Sequence, residues 1–285
     1  MHFDDETTGW KAFENGTRTD EHLFVIPDIH GHADLLEQML ALIARIPGNG
    51  RPRTIAFLGD LIDRGPESFR AIQLALDAKN QCDKRIYLPG NHEGMLLDGL
   101  DLPLETTAFY HWFDCGGSSM VAELPGHMTA SQEEIREQLR EALPAGYLDF
   151  LRTAPGHYKS GDLLLLHGGL RPPVGPDPEG ERERFLAQPL ASAPRVHWAR
   201  LRHEFLLWKG GWDKARREIV VHGHTVMCEN GIESGVEAAD LADHVSTHAR
   251  ISLDMGTGFL PQLLALEVAG GAYRFHYVRK EKYLP

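Results

Sequence analysis

The sequence predicts an α/β fold with parallel strands, on two observations. Short apolar runs alternate with stretches of helical periodicity, and five of the runs lead into Asp, Asn or His beside glycine. Leu23 to Ile26 reads as a buried strand, and Leu35, Leu36, Met39, Leu40 and Ile43 recur on one helical face. Pro47-Gly48-Asn49-Gly50 stops that helix. The unit then repeats: Thr54 to Leu58 is strand-like, Glu67 to Ala78 helical, Arg85 to Leu88 strand-like, and His92 to Leu97 opens another helix. A β-α-β-α-β order implies right-handed crossovers between neighbouring strands.

Residues from about 99 to 155 read as a helical insertion. Phe109, Tyr110, Trp112 and Phe113 would form its core, and Ser131 with Glu134 gives a capping-box signature for a helix closed by Pro144. A strand-rich half follows. His157 to Lys159 and Leu163 to Leu166 flank a Ser160-Gly161-Asp162 turn, Pro172 to Gly180 reads as a loop, and Ile219 to Val221 reads as a strand. Leu263 to Val268 and Ala272 to Val278 flank Gly270-Gly271, a hairpin signal. The expected division is a polar segment, residues 1–21, ahead of a single domain over 22–285.

The formal charge of −12 argues against a surface built to neutralise nucleic-acid phosphates or anionic lipid, so any phosphate binding must be local. Cys82, Cys115 and Cys228 lie far apart, which indicates neither a disulfide framework nor a zinc knuckle. Met1 to Glu21 is polar and carries Asp4, Asp5 and Glu6, the opposite of an export signal. The expected setting is cytoplasmic, with no membrane partner.

Five strand ends carry the chemistry: Asp28-Ile29-His30-Gly31, Gly59-Asp60-Leu61-Ile62-Asp63-Arg64-Gly65, Gly90-Asn91-His92-Glu93, His167-Gly168-Gly169 and His222-Gly223-His224-Thr225. In open α/β sheets ligands bind outside the carboxyl ends of strands, so these segments should converge. Oxygen ligands mixed with imidazole suit Mn²⁺, Fe or Zn²⁺ better than Ca²⁺. Two such ions about 3.5–4 Å apart can clamp the attacking and leaving oxygens of an in-line displacement and activate a water between them. Asp60 is placed to bridge, with Asp28 and His30 on the first ion and Asn91, His167 and His224 on the second. His92 is then the acid for the leaving group, Asp63 its orienting partner, and Arg64 a planar fork for phosphate.

Asp-x-His-Gly, Gly-Asp-x-x-Asp-Arg-Gly, Gly-Asn-His-Glu, His-Gly-Gly and Gly-His-Thr, in this order between Leu23 and Tyr277, resemble the phosphoprotein phosphatase family of calcineurin-like metallophosphoesterases, in its compact bacterial and bacteriophage-type form. A lone histidine near a strand is more often structural than a ligand, and five linked motifs reverse that reading. The resemblance implies an α/β/β/α sandwich of two mixed sheets flanked by helices, two divalent ions (commonly Mn²⁺ or Fe), and hydrolysis of phosphoserine, phosphothreonine and sometimes phosphotyrosine. It places the family's histidine ligand at His224, leaving His222 structural, and expects a second phosphate-binding arginine at Arg200, with Arg202 as fallback. Asp254 falls on the family's last core strand without a catalytic assignment.

The leading expectation is a serine/threonine protein phosphatase acting on a phosphoprotein or phosphopeptide, with a small phosphorylated metabolite as the other substrate class. The alternative is a dinucleoside polyphosphate hydrolase acting on diadenosine tetraphosphate. Asp63-Arg64 and the Glu93 of Gly-Asn-His-Glu favour the former. A non-catalytic metal-binding scaffold is the third reading, and an intact His92, Asp63 and Arg64 argue against it.

Overall fold

The computed structural model describes residues 3–226 and 248–280, so Cys228 lies outside the described residues. Edge strands β1 (Phe3–Thr7) and β2 (Lys11–Ala12) precede β3 (Thr19–Ile26), whose last four residues are buried without alternation. A continuous apolar run belongs to a strand covered on both faces. Phe24 and Ile26 face one core, Leu23 and Val25 another. α1 (Ala33–Arg45) buries the stripe Leu35, Leu36, Met39, Leu40 and Ile43 against the first of these. β4 (Arg53–Phe57), α2 (Ser68–Asp77), β5 (Lys84–Tyr87) and α3 (Asn91–Asp101) continue the alternation.

The insertion holds α4 (Ala108–Trp112), α5 (Ser118–Ala122), α6 (Gln132–Ala142) and α7 (Tyr147–Thr153). At the start of α6, Ser131 Oγ accepts from Glu134 N at 3.3 Å and Ser131 N donates to Glu134 Oε2 at 2.7 Å. The aromatic cluster divides: Phe109 and Trp112 are buried, whereas Tyr110 is exposed. β6 (His157–Ser160) and β7 (Leu163–Leu166) form a hairpin, then come α8 (Pro178–Leu186), α9 (His203–Leu207), β8 (Ile219–His222) and β9 (Arg250–Ser252). α8 begins inside the segment expected as a loop. Pro178 opens it with its preset φ, and the Asp177 side chain accepts from Gly180 N, so the same residues that read as turn formers serve as a helix start. β10 (Gln262–Gly270) and β11 (Ala272–Lys280) close the chain as a hairpin.

Among the described residues the strands form two mixed sheets. One runs β1-β11-β10-β3-β4-β5, with β2 on β11, and the other runs β6-β7-β8-β9. Leu23, Val25, Leu58, Leu165, Val221 and Leu266 fill the space between them. Outer-face residues such as Ile26 and Leu164 pack with helical and loop side chains, giving an α/β/β/α sandwich. β3, β4 and β5 are mutually parallel, as are β7, β8 and β9, so the ligand-bearing ends of each set lie along one rim. The N-terminal segment is part of the first sheet, with Phe3 through Thr7 paired to Lys280 through His276. Among the described residues, no helix is long and apolar enough to cross a membrane.

Glu267 stands buried in this sheet, 2.7 Å from His22 Nε2, 2.7 Å from His276 Nε2 and 2.6 Å from Arg274 Nε. Burial alone would push its carboxyl up, but these three partners outweigh burial and hold it below the ordinary range. A depressed folded-state value makes the stabilisation complete above the ordinary Glu pKa of about 4.3, and lost as pH falls through the folded value. Glu267→Gln should therefore cost about 3 kcal/mol near neutral pH in denaturant melts, with the gap from the unaltered protein narrowing by about pH 3. A gap independent of pH would rule out the ionic account.

Candidate metal centre

The loops leaving the strand ends adopt backbone that side chains rarely tolerate. His30 (φ 48), Asp60 (φ 50), Asp63 (φ 73), Arg64 (φ 66) and His224 (φ 64) all lie in the left-handed region, at roughly 1 kcal/mol or more each. Backbone bonds between loops hold them there: Ile29 N and His30 N donate to Asp60 O, Gly31 N to Leu61 O, and Gly65 N to His30 O, all at 2.8–3.0 Å. Gly59 (φ 100) precedes the strained Asp60, and a Cβ there would sit 2.2 Å from Gly90 N. Only glycine permits that approach.

The result is two clusters that share one carboxylate. His30, Asp60 and His92 bring ligand atoms within 4.8 Å of one another, and so do Asp60, His167 and His224. Asp60 Oδ2 lies 3.8 Å from His30 Nε2 and 3.3 Å from His167 Nε2, while Asp28 Oδ2 lies 3.9 Å from His30 Nε2. Asn91 Oδ1 is 3.1 Å from His167 Nε2. His30 Nδ1 and His167 Nδ1 face the carbonyls of Ile62 and Leu58, at 3.0 and 2.9 Å. A carbonyl only accepts, so both rings carry a proton on Nδ1 and turn Nε2 inward, the nitrogen that a cation would take in place of any proton there.

The electrostatics match a cation. Asp28 Oδ2 is buried with no hydrogen-bond partner. Burial, then the nearby charge of Asp254, pushes the Asp28 carboxyl well above its usual range. At Asp60 burial acts upward but is outweighed by His167, His92 and His30, which hold it well below. At His167 burial acts downward but is outweighed by Asp60 and Asp28, which raise it to about 9. The buried carboxylates Asp28, Asp60 and Asp254 thus draw protons onto their neighbours. Divalent cations would replace those protons, so the donor set fits the ions its chemistry implies.

His92 Nδ1 is 2.7 Å from Asp63 Oδ2, and Trp112 Nε1 from the insertion donates to the same carboxylate at 3.0 Å. Burial acts downward on His92 but is outweighed by Asp60 and Asp63, which raise it, a state suited to donating a proton. The Arg64 guanidinium reaches His30 Nε2 at 2.8 Å and His92 Nε2 at 3.1 Å. Arg200 is directed elsewhere, with its Nη1 on the Ala193 carbonyl at 3.3 Å, and Arg202 Nε contacts His224 Nε2 at 2.9 Å. Hence it is the fallback arginine that lies against a ligand candidate.

The profile for calcineurin-like phosphoesterases matches residues 22–235, which include every one of these motif positions. The chain belongs to the calcineurin-like phosphoesterase family. An asymmetrical bis(5'-nucleosyl)-tetraphosphatase from Bacillus subtilis is 30% identical over 161 residues, covering 52% of this chain and 57% of that relative. A symmetrical bis(5'-nucleosyl)-tetraphosphatase from Dechloromonas aromatica is 28% identical over 149 residues, covering 52% of this chain and 44% of the relative. The chain thus spans about half the length of the curated relatives it matches. A solved metallophosphoesterase from Sphaerobacter thermophilus aligns with 92% of this chain and 89% of its own, at a TM-score of 0.47 and 15% identity.

Two contributors to this candidate centre escape a reading of the motifs. Trp112 reads as core because nothing in the sequence indicates that its indole N–H meets Asp63. Glu93 is buried and accepts from Asp60 N at 2.9 Å, Leu61 N at 2.8 Å and Gly90 N at 2.8 Å. The capping position predicts the last bond, but only the fold supplies the first two. Because both clusters contain Asp60, Asp60→Asn should lose both ions while His30→Ala loses one, measured by elemental analysis after dialysis against Mn²⁺. Retention of both ions by Asp60→Asn would remove it from the shared position.

Proposed function

We propose that this chain is a two-metal hydrolase of nucleoside polyphosphates, of the dinucleoside tetraphosphate class. The observation that carries the chemistry is the pair of clusters sharing Asp60, one of them including His92, set beside the Arg64 fork. Divalent cations held there would supply a nucleophilic water at neutral pH and draw charge from the phosphoryl oxygens. Asp28, His30 and Asp60 are proposed for one ion, and Asp60, Asn91, His167 and His224 for the other.

The chain's own groups do the rest. Arg64 binds the phosphoryl group bidentately, and Arg202, beside His224, is better placed than Arg200 to add a second positive charge. Asp63, fixed by Trp112, orients the His92 ring through Nδ1, and Nε2, which accepts from Arg64 here, would carry the proton for the leaving oxygen once Arg64 turns to the phosphoryl group.

Substrate class rests on the relatives and on what Glu93 does. Read as sequence, Glu93 favours a protein phosphatase. In the fold its carboxylate is consumed by three backbone amides and does not face a substrate, so it carries no information about what is cleaved. Asp63 and Arg64 serve any phosphoryl group. The matched relatives are named for dinucleoside tetraphosphates, which leaves that substrate favoured over a phosphoprotein.

With Mn²⁺ bound, turnover of diadenosine tetraphosphate should exceed that of a phosphoserine peptide by a large factor in kcat/KM. The reverse preference would return the protein-phosphatase reading. His92→Asn should keep its metal and lose about 10²–10⁴-fold on an alkyl phosphate, whose departing alkoxide needs a proton. Its loss on the dinucleotide should be smaller, because the departing nucleotide is already a stable anion. An equal loss on both substrates would take His92 out of the acid role.

A further inference from the structure

We infer that Phe259 is a stacking platform for the base of a bound nucleoside polyphosphate, the base being gripped at the rim while a phosphoryl group reacts at the metal centre. The inference rests on the substrate class proposed above and assigns a residue to it. Phe259 lies in the turn between β9 and β10 and is 73% exposed. A base laid on this ring would remove apolar surface from water.

The position is braced. Phe259 N and Leu260 N both donate to Gly256 O, at 2.8 and 2.9 Å. The Thr257 hydroxyl donates to Gln262 O at 2.9 Å, and the Gln262 amide returns to Met255 O at 3.0 Å. Such crossed bonds fix the turn, so the ring is presented on a rigid support, which lowers the entropic cost of binding.

The ring is also adjacent to the chemistry. The Arg64 guanidinium carbon lies 4.9 Å from its centroid, while the nitrogens of the same guanidinium reach His30 and His92. Gly258, the preceding residue, is so close that a Cβ there would fall 2.9 Å from the His30 ring and 2.8 Å from Arg64 Cδ. One guanidinium therefore separates the phenyl ring from the ligand cluster. A phosphate held by Arg64 would carry its nucleoside past this ring, and the exposed part of the ring offers a base the π-surface on which any base can stack. A dinucleoside tetraphosphate has a base at each end, so at least one must leave the centre across the rim.

The test is calorimetric and needs no turnover. Adenosine 5'-(β,γ-imido)triphosphate and inorganic tripolyphosphate are titrated in the same Mn²⁺ buffer into the unaltered protein, Phe259→Ala and Phe259→Trp. The ratio of the tripolyphosphate Kd to the nucleotide Kd isolates the base. Stacking predicts a ratio above one that falls about tenfold in Phe259→Ala and is kept or increased in Phe259→Trp. A ratio of one in the unaltered protein, or one that Phe259→Ala leaves unchanged, overturns the inference, and the latter would mean that the ring acts only by supporting Arg64. Turnover of diadenosine tetraphosphate is measured beside it. No turnover with a base-dependent ratio defeats the substrate reading and keeps the platform, while turnover without such a ratio does the reverse.

Discussion

A single carboxylate, Asp60, sits where two groups of imidazoles meet, and the demand that it stay ionised and fixed in a buried place shapes everything around it. Burial opposes its charge, and only the surrounding His167, His92 and His30 reverse the outcome. Its backbone is left-handed, its amide is held by Glu93, and its Oδ1 accepts from His92 N at 2.9 Å. Gly90 must be glycine for the same reason, since a Cβ would lie 2.1 Å from that oxygen. The second and third motif loops are thus one mechanical unit joined through a carboxylate at each end, Asp60 reaching forward and Glu93 reaching back.

The two sheets give that unit its footing. Strands buried on both faces can be apolar throughout, so the polar chemistry is pushed to their ends, where the chain turns and backbone amides are available. Parallel pairing within each sheet brings those ends to one rim, and strain in the loops is sustained because bonds between loops over-determine each residue. Strain at five site residues is a standing cost to stability, offset by the packed layers beneath.

Much of this was legible in the sequence. Leu23 to Ile26 and Leu163 to Leu166 declare themselves by continuous apolarity, α1 by its stripe, and the convergence of the candidate ligands by their place at strand ends. What stayed hidden depended on contacts between distant segments. Arg200 and Arg202 are two residues apart in a stretch without regular structure, so no periodicity decides which guanidinium turns toward His224. β1 is polar because it is an edge strand with a largely exposed surface, and its pairing with β11, some 270 residues away, leaves no local signature. Pro178 read as loop because proline and glycine mark turns and helix starts alike.

The insertion carries none of the five motifs, yet it reaches the proposed proton donor. Trp112 donates to Asp63, Asp63 holds His92, and the Gly116 carbonyl accepts from Arg64 N at 3.0 Å, so the proposed acid and the proposed phosphate fork are both seated against insertion residues. The opposite side of Arg64 is met by Gly258 and Phe259, from the turn before the last hairpin. The candidate metal ligands come from five strand ends whose positions the sheets dictate, whereas the groups that would meet the substrate are framed by segments outside those sheets. Within such a division the ions can remain constant while a change in the insertion or the last turn alters which phosphate compound is held, and this is why motifs that identify the family do not by themselves select the substrate.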